Sequence, residues 1–379
     1  MRIAFHTPLN PLGDAGVSGD RRMARQLVAA LESLGHAVEP VGAPKTYFRE
    51  ADPARFASVA TEAARLRDAL LAGYEAGKPQ PDLWFTYHNY YRSPDFLGPD
   101  IAAALGIPYV TAESSDSPRR ATGPWAAQTA VVRQGLAAGD VHFFFTDRDR
   151  QGLEPWRSEG TALLPLPPFV APGPEPARRA DPSGLPRLIT VAMMRDGAKL
   201  QSYLTLARLL DRCRNEDWTL SVIGDGPCRA EIAVAFAGLP EGRISWCGQL
   251  DRSAIQAELG QHDIFLWPGI GEAYGLVYLE AQAAGLPVVA FDSGGVAETV
   301  RAGETALLVS EHDEKALAAA LTSLLRDKEL RDSMGAAARR FILAERTPAR
   351  AAERLAEGLA LALQHRGAKL QSSSGKASP

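Results

Sequence analysis

The sequence predicts an α/β protein with two Rossmann-like domains, each built on a parallel sheet. Short apolar segments of strand length alternate with longer segments of helical periodicity, which is the pattern of parallel strands covered by helices. One Pro-rich segment, 164–186, interrupts this alternation, which then starts again. A chain of 379 residues has room for two domains of ordinary size.

The predicted elements repeat in both halves of the chain. In the first half the strands are Arg2–Phe5, Ala37–Val41, Leu83–Thr86, Tyr109–Ala112 and Val141–Phe145. The helices between them are Arg21–Leu34, Ala54–Ala72, Ile101–Leu105 and Trp125–Ala138. In the second half the strands are Leu188–Ala192, Thr219–Ile223, Ile244–Trp246, Ile264–Trp267, Val288–Phe291 and Leu307–Val309, and a helix-rich end follows from Glu314 to His365.

These elements predict the domain boundaries. We expect an N-terminal Rossmann-like domain (1–170), a Pro-rich linker (171–186), a C-terminal Rossmann-like domain (187–345), a C-terminal helix that packs back on the N-terminal domain (346–365) and a disordered tail (366–379). Proline lacks an N–H, so neither helix nor sheet is expected through 164–186. Ligands of doubly wound sheets bind beyond the carboxyl ends of the strands, so we expect both sheets to face a central cleft.

Composition excludes several classes of partner. Hydrophobic residues make up 46% of the chain, charged residues 23%, and the net charge is −4, so nothing predicts a nucleic-acid partner. No apolar stretch reaches the roughly 20 residues that span a bilayer, and no signal peptide precedes the first strand. The cysteines Cys213, Cys228 and Cys247 form no C-x-x-C pair. We therefore expect a cytoplasmic protein without a transmembrane segment.

The segment Trp267–Val300 concentrates the chemically informative residues. Glu272 follows a predicted strand in a Gly-rich loop, and Gly275 opens an amphipathic helix that carries Glu280. The first turn of that helix offers unpaired N–H groups at Gly275 and Leu276, an anion site suited to a phosphate. Glu280 lies roughly 7.5 Å further along the axis, about the reach from a diphosphate to the ribose of the same nucleotide. Spacing alone leaves open that both glutamates are solvated surface charges.

This segment resembles the E-x7-E signature of retaining GT-B glycosyltransferases of family 4. The family pattern is P-S-x-x-E-G-F-G-L-x-x-L-E-A-x-A-x-G-x-P-V-V-A, followed by G-G-x-x-E. The matching positions here are Pro268, Glu272, Gly275, Leu276, Glu280, Ala281, Ala283, Gly285, Pro287, Val288, Val289, Ala290, Gly294, Gly295 and Glu298. The resemblance implies that the N-terminal domain is the acceptor side and that the C-terminal domain binds the nucleotide-sugar donor. It also implies that Glu272 contacts the donor sugar and that Glu280 binds the donor ribose.

Three further motifs resemble the same family. VIGDGP matches the family's strand and turn before a helix, SWCGQL matches F-x-G-x-L, and HDIFLWP is similar to A-D-x-x-x-x-P. Each motif alone is equally typical of an ordinary βα turn. The resemblance assigns Gly226 and Gly248 to the donor site, with Gly248 beside the base, together with Ala273 and Tyr274.

One motif departs from the family pattern. The family carries G-R-x-x-x-x-K-G after the first strand of this domain, with Arg and Lys on the donor diphosphate. Here the sequence is VAMMRDGAKL, so Arg195 and Lys199 are four residues apart instead of five. Either Arg195 is displaced by one position or Met194 occupies its place, and Lys199 is the firmer assignment. A solvated pair of cations at a helix start is the alternative.

The first half contributes fewer candidates. Gly16 and Gly19 lie between the first strand and first helix, where a Gly-rich turn lets the backbone approach a phosphate or sugar, although a flexible connector is equally consistent. His88 follows the third strand, where the resemblance places a catalytic residue near the sugar.

Charged residues after the next two strands have weaker assignments. Glu113, Asp116, Arg119 and Arg120 suggest acceptor contacts without a matching family motif. Asp147-x-Asp149 has the form of a metal-binding D-x-D, but we interpret it as the acidic first turn of a helix.

The sequence therefore predicts a retaining, metal-independent hexosyltransferase of bacterial type. Its substrates would be a UDP- or GDP-sugar and an unidentified acceptor, which is a small molecule, a lipid-linked molecule or a glycan, and it would need no cofactor. Two alternatives remain: a GT-B epimerase or hydrolase of nucleotide sugars, and a non-catalytic nucleotide-sugar-binding subunit. The irregular Arg195–Lys199 motif, and a linker that departs from the usual N-G-V-D, leave the second alternative open.

Overall fold

The protein is described here by a computed structural model that covers residues 1–13, 18–174 and 184–375, with side chains to Lys369. Contacts divide the chain into two compact units. Unit 1 comprises Met1–Pro167 and Pro348–Pro379, and unit 2 comprises Pro168–Thr347. Of the predicted linker, residues 175–183 lie outside the described ranges.

Unit 1 is an α/β unit with a six-stranded parallel sheet of order β2-β1-β3-β4-β5-β6. Its strands are β1 (Arg2–His6), β2 (Ala37–Pro40), β3 (Leu83–Tyr87), β4 (Tyr109–Ala112), β5 (Val141–Phe144) and β6 (Ala162–Pro165). Its helices are α1 (Gly19–Ser33), α2 (Pro53–Glu75), α3 (Gly98–Leu105), α4 (Ala126–Ala138), α5 (Asp147–Leu153) and α12 (Pro348–Gly375). Every residue of β3 and β4 is buried, as expected for parallel strands covered on both faces.

Strand β6 corrects one expectation, because it lies inside the segment that was predicted to hold neither helix nor sheet. It pairs only with β5, and Pro165 lies opposite Phe144 at its end. A proline is tolerated there because an edge strand has one side on which no ladder hydrogen bond is required. The Pro-rich character of the segment therefore begins to exclude regular structure only after Pro165.

Helix α12 packs within unit 1, against α1 and the strands β4, β5 and β6. It runs to Gly375 and so includes residues 366–375 of the predicted disordered tail. Side chains near its end bind other elements of unit 1. His365 Nδ1 lies 2.8 Å from Asp140 Oδ1, and Lys369 Nζ lies 3.1 Å from the same oxygen. Arg366 donates a hydrogen bond of 3.1 Å to the Ala102 carbonyl. These ionic contacts explain why the polar composition does not end the helix at His365. Residues 376–379 lie outside the described ranges.

Unit 2 contains a second six-stranded parallel sheet, of order β12-β11-β10-β7-β8-β9. Its strands are β7 (Arg187–Val191), β8 (Thr219–Ile223), β9 (Ile244–Gly248), β10 (Ile264–Leu266), β11 (Val288–Asp292) and β12 (Ala306–Ser310). Its helices are α6 (Ala198–Arg212), α7 (Arg229–Phe236), α8 (Arg252–Leu259), α9 (Leu276–Ala283), α10 (Glu314–Arg326) and α11 (Lys328–Glu345). The two parallel sheets confirm the predicted α/β class.

The order of the strands in unit 2 determines where its polar loops meet. β7 and β10 are hydrogen-bonded neighbours although two strands separate them in sequence, so the strand order reverses between them. The carboxyl ends of neighbouring strands at such a reversal form the usual ligand site of an open α/β sheet. Lys199 lies in the first turn of the helix that follows β7, and Glu272 lies in the loop after β10.

Within the described ranges, none of the helices has the length and apolar character that crossing a membrane requires.

Candidate functional site

Glu272 is held by two side chains at the carboxyl ends of β7 and β10. Its Oε1 contacts Nζ of Lys199, which lies in the first turn of α6, and accepts a hydrogen bond of 3.1 Å from Nε1 of Trp267. The Lys199 ammonium also lies 5.5 Å from the centroid of the Trp267 ring, a cation–π distance. A carboxylate, an ammonium and an indole therefore converge on one point of unit 2.

Hydrogen bonds to the loop that follows β11 fix the backbone of the Glu272 loop. The Glu272 carbonyl accepts from the Gly295 N–H at 3.1 Å, and the Gly271 N–H donates to Ser293 Oγ at 2.9 Å. Gly294 has a φ of +60°, and a Cβ at this position would lie 1.8 Å from the Glu272 carbonyl oxygen. The second glycine-rich motif therefore allows the two loops to approach each other closely enough to set the position of Glu272.

Helix α9 begins directly after this loop and carries Glu280. Gly275, the N-cap residue, has a φ of +77°, and within the described ranges its N–H and that of Leu276 donate to no acceptor. Glu280 is buried and lines a cavity of about 230 Å³ with residues from α8, from the end of α9 and from 170–174, at the start of the predicted linker. The other lining residues are Val170, Ala171, Gly173, Pro174, Ser253, Gln256, Ala257, Ala283 and Ala284.

Unit 1 assembles a second polar cluster at the carboxyl end of its sheet. His88 follows β3 and Glu113 follows β4, and Tyr87 OH donates to Glu113 Oε2 at 2.8 Å. His88 Nε2 lies 3.7 Å from Glu113 Oε2 and 3.5 Å from Asp20 Oδ1. Both His88 and Glu113 have a left-handed backbone, with φ of +67° and +52°, which is rare for residues other than glycine. Such strain is found mainly where the surrounding structure enforces a functional position.

The protonation of this cluster follows from burial and charge. Burial alone would lower the pKa of His88, but the carboxylates of Glu113 and Asp20 outweigh it and raise the pKa to about 9. Burial raises the pKa of Glu113 to about 8, against the opposing effects of the His88 charge and the Tyr87 hydrogen bond. Each charge favours the other, so His88 and Glu113 titrate as one coupled pair.

Comparison with known proteins relates unit 2 to sugar-transferring enzymes. Residues 175–341 match the family model described as glycosyl transferases group 1. A sulfoquinovosyl transferase of Arabidopsis thaliana is 34% identical over 123 residues, which are 32% of this chain and 24% of that protein. A GDP-mannose-dependent α-(1-6)-phosphatidylinositol monomannoside mannosyltransferase of Mycolicibacterium smegmatis is 34% identical over 234 residues, 57% of this chain and 61% of that protein. The chain thus spans less than two thirds of either relative.

Solved structures identify the fold of the whole chain. Sucrose-phosphate synthase from Thermosynechococcus elongatus aligns over 100% of both chains with a TM-score of 0.67 and 20% identity. The fold is GT-B. This agrees with the two parallel six-stranded sheets and confirms the fold that the E-x7-E resemblance implied.

The two cations that were predicted for the diphosphate, Lys199 and Arg195, have different surroundings in the structure. Lys199 contacts Glu272, whereas Arg195 is exposed and forms no ion pair with any described residue. Met194 is fully buried in the hydrophobic core of unit 2, and its carbonyl accepts from the Cys228 N–H at 3.0 Å. Met194 therefore has a packing role, whereas the side chain of Arg195 is exposed to solvent.

The remaining predicted donor residues differ in their surroundings. Gly226 has a φ of +152°, and its Cβ would lie 2.4 Å from the Met194 carbonyl, so close packing of two loops requires a glycine here. Gly248 ends β9 with a φ of +65° and no atom within 4 Å of an added Cβ. Tyr274 is buried, Ala273 is exposed, and Gly19 begins α1 with no atom within 4 Å of an added Cβ. Gly16 lies outside the described residues. Their roles in donor binding stay predictions.

The other acidic candidates of unit 1 have structural partners. Arg133 holds Asp116 through two hydrogen bonds of 3.0 and 2.9 Å. Asp147 and Asp149 lie in the first turn of α5, where Thr146 and Asp149 form a capping box, so their interpretation as helix N-terminal acids is confirmed. Arg119 and Arg120 are exposed on a short 3₁₀ turn.

Sequence reasoning missed Trp267 as a site residue, although it immediately precedes Pro268 of the motif. The Trp267 side chain is fully buried, packs edge-on against Tyr203 at 4.8 Å and directs its N–H to Glu272. A buried indole nearly always has a hydrogen-bond acceptor. A buried Trp five residues before a loop carboxylate was therefore the available signal.

Proposed function

We propose that this protein is a retaining glycosyltransferase of the family 4 type, which transfers a hexosyl group from a UDP- or GDP-sugar to a hydroxyl acceptor in the cytoplasm. The reaction needs neither a metal ion nor a cofactor. The observation that carries the proposal is the contact of Glu272 with Lys199 and Trp267 at the strand-order reversal of unit 2, eight residues before Glu280 on α9.

The proposed chemistry assigns each group a charge to stabilise. The nucleoside diphosphate leaves with its electron pair, and Lys199, Arg195 and the N-terminal N–H groups of α9 neutralise it. Glu272 stabilises the positive charge that develops on the sugar ring in the oxocarbenium-like transition state. The acceptor hydroxyl attacks from the face that the diphosphate leaves and transfers its proton to a phosphate oxygen, so the configuration is retained. On unit 1, His88 is the proposed catalytic residue, with an imidazolium as the active form.

Release of nucleoside diphosphate that depends on an acceptor tests the proposal directly. We expect the purified protein to release UDP or GDP from a nucleotide sugar, faster when a mixture of polyol acceptors is added, and at the same rate in EDTA. Lys199 and Arg195 take the place of a divalent ion at the diphosphate, so a chelator removes no group that the reaction needs. Loss of turnover in EDTA that Mg²⁺ or Mn²⁺ restores would contradict metal independence. Release that no acceptor accelerates would favour a hydrolase.

Glu280 is the proposed ligand of the donor ribose, because it lines the cavity beside α9. We expect Glu280→Ala to weaken donor binding about 10- to 100-fold, the loss of one or two charge-assisted hydrogen bonds. The variant should also lose the preference of the wild type for ribo- over 2′-deoxyribonucleotide sugars. Thermal-shift titrations with UDP-glucose and its 2′-deoxy analogue measure both effects.

The matched control for Glu280 is Glu329→Ala, which removes an exposed glutamate from the first turn of α11. Its donor affinity and its discrimination should equal those of the wild type. Equal affinity of the wild-type protein for the ribo and deoxyribo donors would show that Glu280 is not the ribose ligand.

A further inference from the structure

Unit 1 brings three carboxylates and one imidazole to the carboxyl ends of four neighbouring strands. Asp20 lies in the first turn of α1, which follows β1, and Asp149 lies in the first turn of α5, which follows β5. His88 and Glu113 follow β3 and β4 directly. The order β1-β3-β4-β5 in the sheet makes these four ends adjacent, so residues far apart in sequence form one group, here called the acidic cluster.

Two carboxylates of the acidic cluster are each anchored through one oxygen only. Glu113 Oε2 accepts from Tyr87 OH at 2.8 Å, and Asp149 Oδ2 accepts from Thr146 Oγ1 at 2.8 Å. Within the described ranges, no hydrogen bond reaches Glu113 Oε1 or Asp149 Oδ1. The anchored oxygens fix the carboxylates, and the other oxygens can each accept from a ligand.

His88 is an independent indication that a ligand belongs at the acidic cluster. Its side chain is only 9% exposed, and its Nε2 is buried without a hydrogen bond to any described residue. This atom lies between Asp20 Oδ1 and Glu113 Oε2, at 3.5 and 3.7 Å, so it is directed into the cluster. Acceptors at 3.5 Å or more form at most weak hydrogen bonds, so a ligand oxygen at normal hydrogen-bond distance would strengthen the contacts of this N–H.

The acidic cluster combines negative charge with aromatic rings. The rings of Tyr87 and Tyr90 lie 4.2 and 6.0 Å from the His88 ring, measured between centroids. Two further cations act on these carboxylates, Lys45 on Asp20 and Arg148 on Asp149, and both are exposed. His88 is a buried cation beside them. Carboxylates beside aromatic rings are the usual environment of a bound ammonium group.

We propose that the acidic cluster binds the ammonium group of an amino-bearing polyol, which is the acceptor of the transfer reaction. The ammonium donates to Glu113 Oε1 and Asp149 Oδ1, and a hydroxyl of the polyol accepts from His88 Nε2. This inference rests on the proposed function, because only a transferase has an acceptor.

The charges of the cluster give the proposal a thermodynamic signature. Burial raises the pKa values of Glu113 (to about 8) and of Asp149, and the negative charges of Asp20 and Asp149 raise that of Glu113 further. The His88 charge opposes both shifts. Near neutral pH the Glu113 carboxyl therefore holds a proton more readily than a solvated carboxyl does, before a cation binds. A bound ammonium lowers this pKa and expels the proton, so affinity must rise with pH up to about 8.

A matched pair of probes tests the proposal. Glucamine and sorbitol differ only in an ammonium in place of one hydroxyl, and an aliphatic amine stays protonated at neutral pH. We expect wild-type protein to bind glucamine about tenfold more tightly than sorbitol, as for a charge-assisted against a neutral hydrogen bond. Calorimetry at pH 7 in two buffers of different ionisation enthalpy should show release of about one proton per glucamine and none per sorbitol.

Two variants and one control separate this site from general effects. Glu113→Gln, which still accepts from Tyr87, should abolish the proton release and the preference for glucamine, and Asp149→Asn should reduce the preference. The control Asp147→Asn removes an exposed acid of the same helix turn, which binds Arg150 and Gln151, and should leave both signals unchanged. Circular dichroism melting confirms that each variant folds.

The outcomes distinguish the acceptor class from the proposed function. Equal binding of glucamine and sorbitol, no detectable binding of either, or proton release that persists in Glu113→Gln would overturn the ammonium site. None of these results affects binding of UDP- or GDP-sugars by unit 2, which is measured separately by thermal shift. Failure of every nucleotide sugar to bind would instead overturn the proposed function, whatever the amine does.

Discussion

Glu272→Gln is expected to lower the turnover number about 10²- to 10³-fold while it changes donor affinity by less than about threefold. The substitution keeps the length of the side chain and an oxygen that accepts from Trp267 Nε1, but it removes the negative charge. Positive charge develops on the sugar only in the transition state, so the lost interaction belongs mainly to that state. A fall in kcat at nearly constant donor affinity is the kinetic result of such a loss.

The measurement combines initial rates of nucleotide release with calorimetry of donor binding. Asp292→Asn is the matched control, because it removes an exposed carboxylate at the end of the neighbouring strand β11. The control should turn over within about threefold of the wild type if the effect depends on direct contact rather than on the general field. Wild-type turnover by Glu272→Gln would refute the catalytic assignment and favour a non-catalytic nucleotide-sugar-binding subunit.

The candidate site of unit 2 was predictable because its information is local in sequence. The loop with Glu272, the helix start at Gly275 and the position of Glu280 all lie within nine residues, so helical geometry alone relates them. The glycines of the motif are also explained by local geometry. Gly275 and Gly294 have positive φ in the structure, which few other residues adopt. Even the contact between Lys199 and Glu272 follows once the strand order is known, since β7 and β10 are neighbours.

The acidic cluster of unit 1 was not predictable as a unit, because its members meet only through the sheet. Asp20 and Asp149 are far apart in the chain and belong to two different helix starts. Asp149 also fits the ordinary pattern of an acidic first turn, which conceals its electrostatic interaction with His88 and Glu113. Strand order and backbone strain are the two facts that sequence spacing does not contain.

Lys199→Ala is expected to weaken donor binding about 10- to 100-fold, in contrast to Glu272→Gln, which acts on turnover. A diphosphate is fully charged before the reaction begins, so a lysine that binds it contributes already to the ground state. The rate should fall as well, because the leaving diphosphate gains charge during the step. Calorimetry with UDP- and GDP-sugars measures the affinity, and Lys199→Arg, which keeps the charge, should retain more of it than Lys199→Ala.

Lys199 is expected to act on the donor in two ways, and a double variant separates them. In the structure its ammonium contacts Glu272, whose side chain is only 13% exposed. Removal of Lys199 therefore deletes an attraction for the diphosphate and also leaves an uncompensated carboxylate that repels it. In the Lys199→Ala/Glu272→Gln protein the repulsion is absent, so donor affinity should recover in part but not to the wild-type value. Full recovery would show that Lys199 serves only as the partner of Glu272, and no recovery would show that its whole effect on affinity comes from the diphosphate.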